Sequence, residues 1–345
     1  MRHRESTILV PGGTRADPPI ESVERRRLGS RVASAVRVKL LGIGPEEAEF
    51  ARRGFPEADP VKQQWLERAG KTFVSGYRVA LASDPGPVLD AALEQHERDV
   101  RGFAYEGAAM GLALRDAISP LHHSRFRRFV DDHDEHVYMI HVGMGWALAR
   151  LRRDVRRPLT RLDPLLGWLA VDGVGFHTGY FEPNRFFATT QPAAPTPIGY
   201  AARVFDQGLG RSLWFFAGAD VERVAAHVRA FPPGRRDDLW SGIGLAATYA
   251  GGCSRDELSR LQDLAGASVG HLAQGAVFAA GARRRARNVV APNEVACSVL
   301  AGMTVDEAAE LAESSVPSVV AAVPGEPIYE TWRARIRSRF ASAAR

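Results

Sequence analysis

The sequence predicts an all-α chain of tandem helix hairpins, a tetratricopeptide-like α-solenoid with about 7–8 repeats of roughly 34 residues. Two observations carry this: a glycine-centred block recurs along the chain, and helix-start signals lie between its copies. The fullest copy is Phe205–Gly218, FDQGLGRSLWFFAG. Shifted versions read EGAAMGLALRD at Glu106–Asp116, VGMGWALARLR at Val142–Arg152 and DGVGFHTGYFE at Asp172–Glu182. SGIGLAATYAG follows at Ser241–Gly251 and QGAVFAAGARR at Gln274–Arg284. Ser75–Pro85 is a weaker first copy and Val295–Thr304 a degenerate last one. The markers are Gly76, Gly107, Gly143, Gly173, Gly208, Gly242, Gly275 and Ala296, with steps of 31, 36, 30, 35, 34, 33 and 21. A step near 34 that holds two helices is the period of tetratricopeptide arrays.

In chain order, residues 1–60 read as an N-terminal arm and basic capping helices, 61–316 as the helical-repeat domain, and 317–345 as a Pro/Gly segment with a basic helix. Met1–Pro19 carries turn residues and no period. Arg27–Leu41 has apolar residues near i, i+3/i+4 spacing and predicts a helix. Pro45, followed by Glu46 and Glu47, opens another, because proline and acids suit the orphan N–H end. Asp59-Pro60 starts a helix through Trp65, Phe73 and Leu81 that stops at the SDPGP loop, Ser83–Pro87. Within the repeats, Ser254-x-x-Glu257 and Thr304-x-x-Glu307 have capping-box spacing, and Asp220 heads VERVAAHVRAF. The glycine blocks are thus the first helices of each pair and the capped segments the second. A glycine inside a helix costs roughly 1 kcal/mol against alanine, so its recurrence implies close backbone approach between stacked helices. A phosphate cradle would need a preceding strand, which the pattern lacks. The segment Glu182–Ile198, with four prolines, reads either as a lid over the inner surface or as a plain linker.

Composition excludes several classes. The net charge of +5 and pI of about 9.5 come from arginines scattered in short runs, which predicts solvated helix faces and no nucleic-acid function. Two cysteines, Cys253 and Cys297, without metal-ligand spacing fit a reducing compartment. No apolar run has membrane-spanning length, so the expectation is a cytoplasmic protein that reaches a membrane only through a partner.

Superposing the repeats assigns candidate residues. Gln207, Arg211, Trp214 and Phe215 fall on the inner face, with Asp172, Phe176 and Tyr180 beside them. Ser241 and Tyr249, Glu106 and Gln274 join from other repeats. This predicts an aromatic surface crossed by a ladder of polar residues just before the glycines, suited to a long, flat, apolar ligand held by a few polar contacts. Phe176, Tyr180, Gln207, Trp214, Phe215, Tyr249 and Gln274 are the candidate ligand contacts; Asp172, His177, Arg211 and Glu106 are the candidates for chemistry. His177 reads either as a catalytic group or as a satisfied buried histidine. The cluster of His133, His136 and His141 lacks the i, i+4 spacing of a helical metal pair, so no metal is expected. No nucleophile elbow is present. The residues name no cofactor.

Several of these blocks also carry a resemblance. EGAAMGLALRD, HVGMGWALARL, LDPLLGWLAVDGVGFHTGYF, FDQGLGRSLWF, LWSGIGLAATYAGG and GPEEAEFARRGF are similar to blocks of the UnbL-type family over roughly Leu28 to Leu311. That family, of unknown function, is encoded with enediyne antibiotic biosynthesis. The resemblance implies a protein that works with UnbV-type and UnbU-type partners, the second a membrane protein, on a linear polyene made by an iterative polyketide synthase. It supplies a pathway and no catalytic residue. Two functions fit: binding and conversion of the polyene toward the enediyne core, or a non-catalytic scaffold that assembles the partner proteins.

Overall fold

The computed structural model describes residues 34–119, 124–189, 191–195, 197–317 and 326–341. Seven long helices, each heading for the next, form its spine: α1 Pro60–Ala82, α3 Arg101–Ile118, α5 Val137–Arg150, α6 Trp168–Phe181, α7 Tyr200–Phe216, α9 Pro233–Tyr249 and α11 Val269–Arg285. Each packs on its successor in that order. Between them lie shorter outer helices: α2 Pro87–Glu94, α4 Arg125–Asp132, α8 Val221–Ala230, α10 Arg255–Ala265 and α12 Ala291–Leu300. Two further helices close the chain, α13 Val305–Ser314 and α14 Ile328–Ala341, and both pack on α11. Among the described residues there is no strand, so the chain is all-α.

Local chemistry sets the boundaries. Asp59 caps α1 by accepting from the amides of Val61 and Lys62, and Asp220 caps α8 through those of Glu222 and Arg223. Ser254–Glu257 and Thr304–Glu307 form complete capping boxes at α10 and α13, so two orphan donors at each end find partners. Ser83 ends α1 in extended backbone, as the SDPGP loop requires.

The glycines explain the tight spine. A methyl on Gly143 would lie 2.2 Å from the Glu106 carbonyl oxygen, on Gly173 2.1 Å from that of Val142, and on Gly208 1.8 Å from that of Asp172. Gly242 and Gly275 repeat this against Gln207 and Ser241, at 1.8 and 1.9 Å. From Gly143 to Gly275 the register is constant: each marker glycine faces, in the preceding helix, the carbonyl of the residue just before that helix's own marker, whereas Gly107 faces that of Phe73, three residues before Gly76. A second glycine, two residues on, faces forward. Gly145, Gly175, Gly210 and Gly244 lie against the carbonyls of Ala170, Phe205, Leu239 and Leu272. Only hydrogen fits in these seams, because the opposing atom is backbone and cannot rotate away.

The spine curls back until its first helix reaches the ends of its fifth and sixth. Trp65 of α1 donates its indole N–H to the Ala250 carbonyl after α9, and Lys62 reaches the Ala219 carbonyl after α7 at 3.1 Å. Arg98 donates to the Arg287 carbonyl beyond α11. The inner face is therefore enclosed.

One expectation changes, and of the two readings of Glu182–Ile198 the linker fits. The copy at Val295–Thr304 belongs to α12, an outer helix; the place next to α11 in the spine is taken by α13, whose Ala312 meets Gly281. The segment after α6 does not cover the inner face. Phe186 and Phe187 are buried against Phe205, Phe216 and Phe231, so this segment stands where an outer helix stands in other pairs; Thr190 and Thr196 lie outside the described residues. Met1–Pro19 and the first part of Arg27–Leu41 also lie outside them, while residues 34–41 are helical as expected.

Candidate functional site

The glycine register aligns one stripe of each spine helix from α3 to α11 toward the interior, with Arg150 at an exposed end of it. Counted from each marker glycine the stripe falls at −4, −1, +3 and +7, which is one helical face. In α3 it reads Phe103, Glu106, Met110 and Leu114; in α5, Met139, Val142, Trp146 and Arg150; in α6, Leu169, Asp172, Phe176 and Tyr180. In α7 it reads Val204, Gln207, Arg211 and Phe215; in α9, Asp238, Ser241, Leu245 and Tyr249; in α11, His271, Gln274, Phe278 and Ala282. The −1 rung is the polar ladder, and its members Glu106, Asp172, Gln207, Ser241 and Gln274 are all fully buried.

From Asp172 onward the ladder is hydrogen-bonded. Gln207 donates its amide to Asp172 at 2.8 Å and to the Tyr329 hydroxyl at 3.0 Å, and Arg211 donates to Asp172 at 2.5 Å. Ser241 donates to Gln274 at 2.9 Å, whose carbonyl oxygen also accepts from Arg333. Burial opposes the charge on Arg211, but the carboxyl groups of Asp172 and Glu106 outweigh it and hold its pKa above the ordinary value. Tyr329, Trp332 and Arg333 arrive from α14. Arg333 is fully buried and binds Asp238 at 2.6 Å and Glu330 at 3.3 Å. Read from sequence as a basic helix, α14 is thus an inserted amphipathic one, with Tyr329, Trp332, Arg333 and Ile336 buried at i, i+3, i+4 and i+7.

Glu106 is the exception. It is fully buried, and neither carboxylate oxygen has a hydrogen bond of normal geometry; the donor that approaches it is the Trp146 indole, which has no other partner. Leaving a buried acceptor unmade costs about 1–3 kcal/mol, more if it is charged. Burial raises its pKa from 4.5 to about 7; Asp172 adds to the rise, while Arg211 and the nearby Trp146 indole oppose it. Glu106 borders a cavity whose other walls are almost all apolar, including Phe73, Phe103, Trp146, Phe176, Tyr180 and Phe215. Its cover comes from Ile43, Glu47 and Ala48 of the N-terminal segment, which Phe55 anchors edge-on to Tyr180 and Phe216. The cavity volume is about 30 Å³, room for two or three waters at the ~10–15 Å³ each needs. A second cavity of about 20 Å³ lies beyond Arg211, between Tyr249, Phe278 and Trp332.

The structure brings Glu106, Phe176, Tyr180 and Phe215 together around the larger cavity, and Arg211 and Tyr249 around the smaller. Asp172, Gln207 and Gln274 meet in the hydrogen-bonded ladder and line neither. Trp214 falls outside the inner stripe. It is fully buried at a helix joint, where its indole donates to the Gly251 carbonyl at 3.0 Å. His177 also lies off the stripe, edge-on to Trp146 and against Phe181. Burial, helped by Arg150, pushes its pKa down to about 3, so it is neutral at physiological pH. The three histidines of the 133–141 cluster have structural partners: His133 meets Asp90, His136 stacks on Tyr105, and His141 bonds the Val137 carbonyl. Among the described residues no group of three or more His, Cys, Asp or Glu is placed to hold a metal, and no helix is long and apolar enough to cross a membrane.

Sequence reasoning missed Trp146, although the +3 offset that selects Phe176, Arg211 and Phe278 also selects it. It missed Phe103 and Asp238 because the −4 row was not read, and Trp332 and Arg333 because no repeat contains them.

No curated protein and no solved structure matches the chain. The matching family model is described as a protein of unknown function (DUF1702), and it covers residues 32–340. A match across nearly the whole spine, from before α1 to within α14, makes the chain a member of that family.

Proposed function

We propose that the protein is a tetratricopeptide-like solenoid, closed on itself, whose interior binds a linear conjugated molecule, and that Glu106 moves a proton at that ligand. The observation that carries the reading is a fully buried carboxyl with no hydrogen bond of normal geometry at the edge of an aromatic cavity. Perturbed titratable groups in closed apolar pockets mark sites of chemistry. With a pKa of about 7, Glu106 populates both acid and base forms near neutrality, the condition for a general acid–base. Phe176, Trp146 and Tyr180 offer faces and edges to a π-system. By the UnbL-type resemblance, the ligand is the linear polyene of enediyne biosynthesis, handled with UnbV-type and UnbU-type partners on the way to the enediyne core. The scaffold alternative needs an open groove with exposed apolar patches, whereas this inner face is filled by the protein's own side chains.

At about 30 Å³ the cavity admits a ligand only when its cover moves, and the N-terminal segment carrying Ile43, Ala48 and Phe55 is that cover. The test is quenching of tryptophan fluorescence by a linear conjugated polyene. Saturable quenching that survives in Trp214→Phe and is lost in Trp146→Phe is the expected result. Quenching that never saturates, or that depends on Trp214 alone, overturns the reading.

A further inference from the structure

We infer that one rim of the spine is a docking face for the headgroup layer of an anionic lipid bilayer. It is built from the helix at residues 34–41 and the C-terminal ends of α1, α3 and α5. The inference concerns the outside of the molecule and does not depend on what the interior binds.

Hydrogen bonds, most of them from arginines, hold this rim together. Ser34 donates to the Ala82 carbonyl at 3.2 Å and Arg37 to that of Leu81 at 3.0 Å, which lays the helix across the end of α1. Its other end is fixed by Tyr77 and Arg150, which donate to the Leu41 carbonyl at 2.6 and 3.2 Å. Arg115 of α3 reaches the Ala80 carbonyl of α1 at 2.7 Å, and Arg153, after α5, the Ala117 carbonyl of α3 at 3.1 Å. These guanidinium groups satisfy orphan carbonyls, but each helix end offsets only about half a positive charge. Residues 34–41, 78–84, 115–119 and 150–154 together hold seven basic residues and three acids. Of the acids, Asp84 is taken by Arg115 and Arg125, and Asp116 by Arg125. The rim is therefore cationic, and the sequence just before it, residues 25–33, adds four arginines and no acid.

Capping alone explains arginines at helix ends. It does not explain the apolar side chains that stand out among them. Seven large apolar side chains are exposed among the described residues, and four belong to this rim: Val36, Leu40, Val88 and Ile118. Val88 opens α2 directly after the loop that ends α1. Val36 and Leu40 lie one turn apart on one face of their helix, with exposed Lys39 beside them, and Leu40 is 74% exposed. Single apolar tips separated by cations do not make the contiguous patch that a protein partner covers. They suit a bilayer surface, where the tips enter the acyl boundary and the charges stay among the phosphates. The helix runs on into Ile43 and Ala48, so the segment that meets the bilayer continues directly into the cover of the larger cavity.

The experiment is co-sedimentation of the full chain with vesicles, one set of phosphatidylcholine alone and one of equal parts phosphatidylcholine and phosphatidylglycerol. Binding to the anionic vesicles is expected to weaken as salt is raised and to be about tenfold or more weaker without phosphatidylglycerol. Val36→Ser combined with Leu40→Ser, and separately Lys39→Glu, are each expected to weaken it about tenfold. These side chains are partly or largely exposed, so circular dichroism is expected to show an unchanged fold. Ile198→Ser, at a residue 81% exposed but outside the rim, is the control and leaves binding unchanged. Equal binding to both kinds of vesicle overturns the inference. Anionic binding that survives every rim substitution overturns it too, because the contact then lies elsewhere. No binding to the anionic vesicles overturns it and leaves the rim to an acidic protein or to helix capping alone.

Discussion

The two halves of the polar ladder occupy equivalent places on equivalent helices, yet they are finished differently. In the half built by α7, α9 and α11, the rungs are bonded to one another and to α14, which brings Tyr329 and Arg333 into the interior. In the half built by α1, α3 and α5, no helix is inserted among the described residues. There the rung is Glu106, its oxygens have no hydrogen bond of normal geometry, and aromatic rings replace the polar neighbours. A repeat position therefore fixes where a side chain points and says nothing of its role. Partners decide that, and here they come from a segment outside the repeats. What the halves share is the glycine seam.

The largest effect comes from unmaking the finished half. Arg333 is fully buried and holds Asp238 and Glu330. Removing one member of a buried ion pair costs about 3–5 kcal/mol when the other charge is left uncompensated; here Arg203 stays beside Asp238 and Arg337 beside Glu330, which sets the loss at the low end of that range. Arg333→Met is expected to lose that much in urea denaturation, and Asp238→Asn in the same chain to recover part of it. A loss below about 1 kcal/mol would mean that α14 does not complete the ladder.

The seams come next and test what the halves have in common. Gly208→Ala sets a methyl 1.8 Å from the Asp172 carbonyl oxygen, and Gly242→Ala the same distance from that of Gln207. Overpacking of this kind costs up to about 3 kcal/mol. Gly234→Ala, at the start of α9 with nothing within 4 Å, is the control and gains up to about 1 kcal/mol. Thermal melts of the three variants separate close approach from simple helix propensity. Equal melting points for Gly208→Ala and Gly234→Ala would show that the spine relaxes easily.

This division also explains what the sequence discloses. The seams are legible because a glycine at a fixed period inside a helix has few other causes, and from Gly107 to Gly275 the markers fall in the predicted first helices. The capping boxes at Ser254 and Thr304 are legible for the same local reason. Glu106 is visible as a ladder rung, as are Asp172, Gln207, Ser241 and Gln274, but nothing local distinguishes the rung without a partner. That distinction depends on Tyr329 and Arg333, which lie 122 residues from Gln207 and 59 from Gln274 along the chain. Trp214 misleads because its neighbours Arg211 and Phe215 do face inward, while a turn of the helix carries its indole to Gly251. Closure of the spine rests on contacts such as Trp65 with Ala250, which no periodicity encodes.

The unfinished half is probed by pH. Burial holds the Glu106 carboxyl at about 7 in the folded chain against an ordinary 4.5, so between those values the native state keeps a proton that the unfolded chain gives up. Stability from this group is intact below about 4.5 and is lost as pH rises through about 7. At roughly 1.4 kcal/mol per pKa unit, the rise from 4.5 to about 7 makes the loss about 3–4 kcal/mol at pH 8. Glu106→Gln removes the ionisation and keeps the shape. Asp206, raised to about 6 by burial although Arg235 opposes the shift, titrates in the same window in both proteins. His136 and His177, pushed down to about 3, weaken both proteins below about 6.5. The difference between the two stability curves therefore isolates Glu106. It is expected to be small at pH 5 and to favour the glutamine variant by about 3–4 kcal/mol at pH 8. Parallel curves would mean that Glu106 already has a partner in solution, and the two halves of the ladder would then be alike.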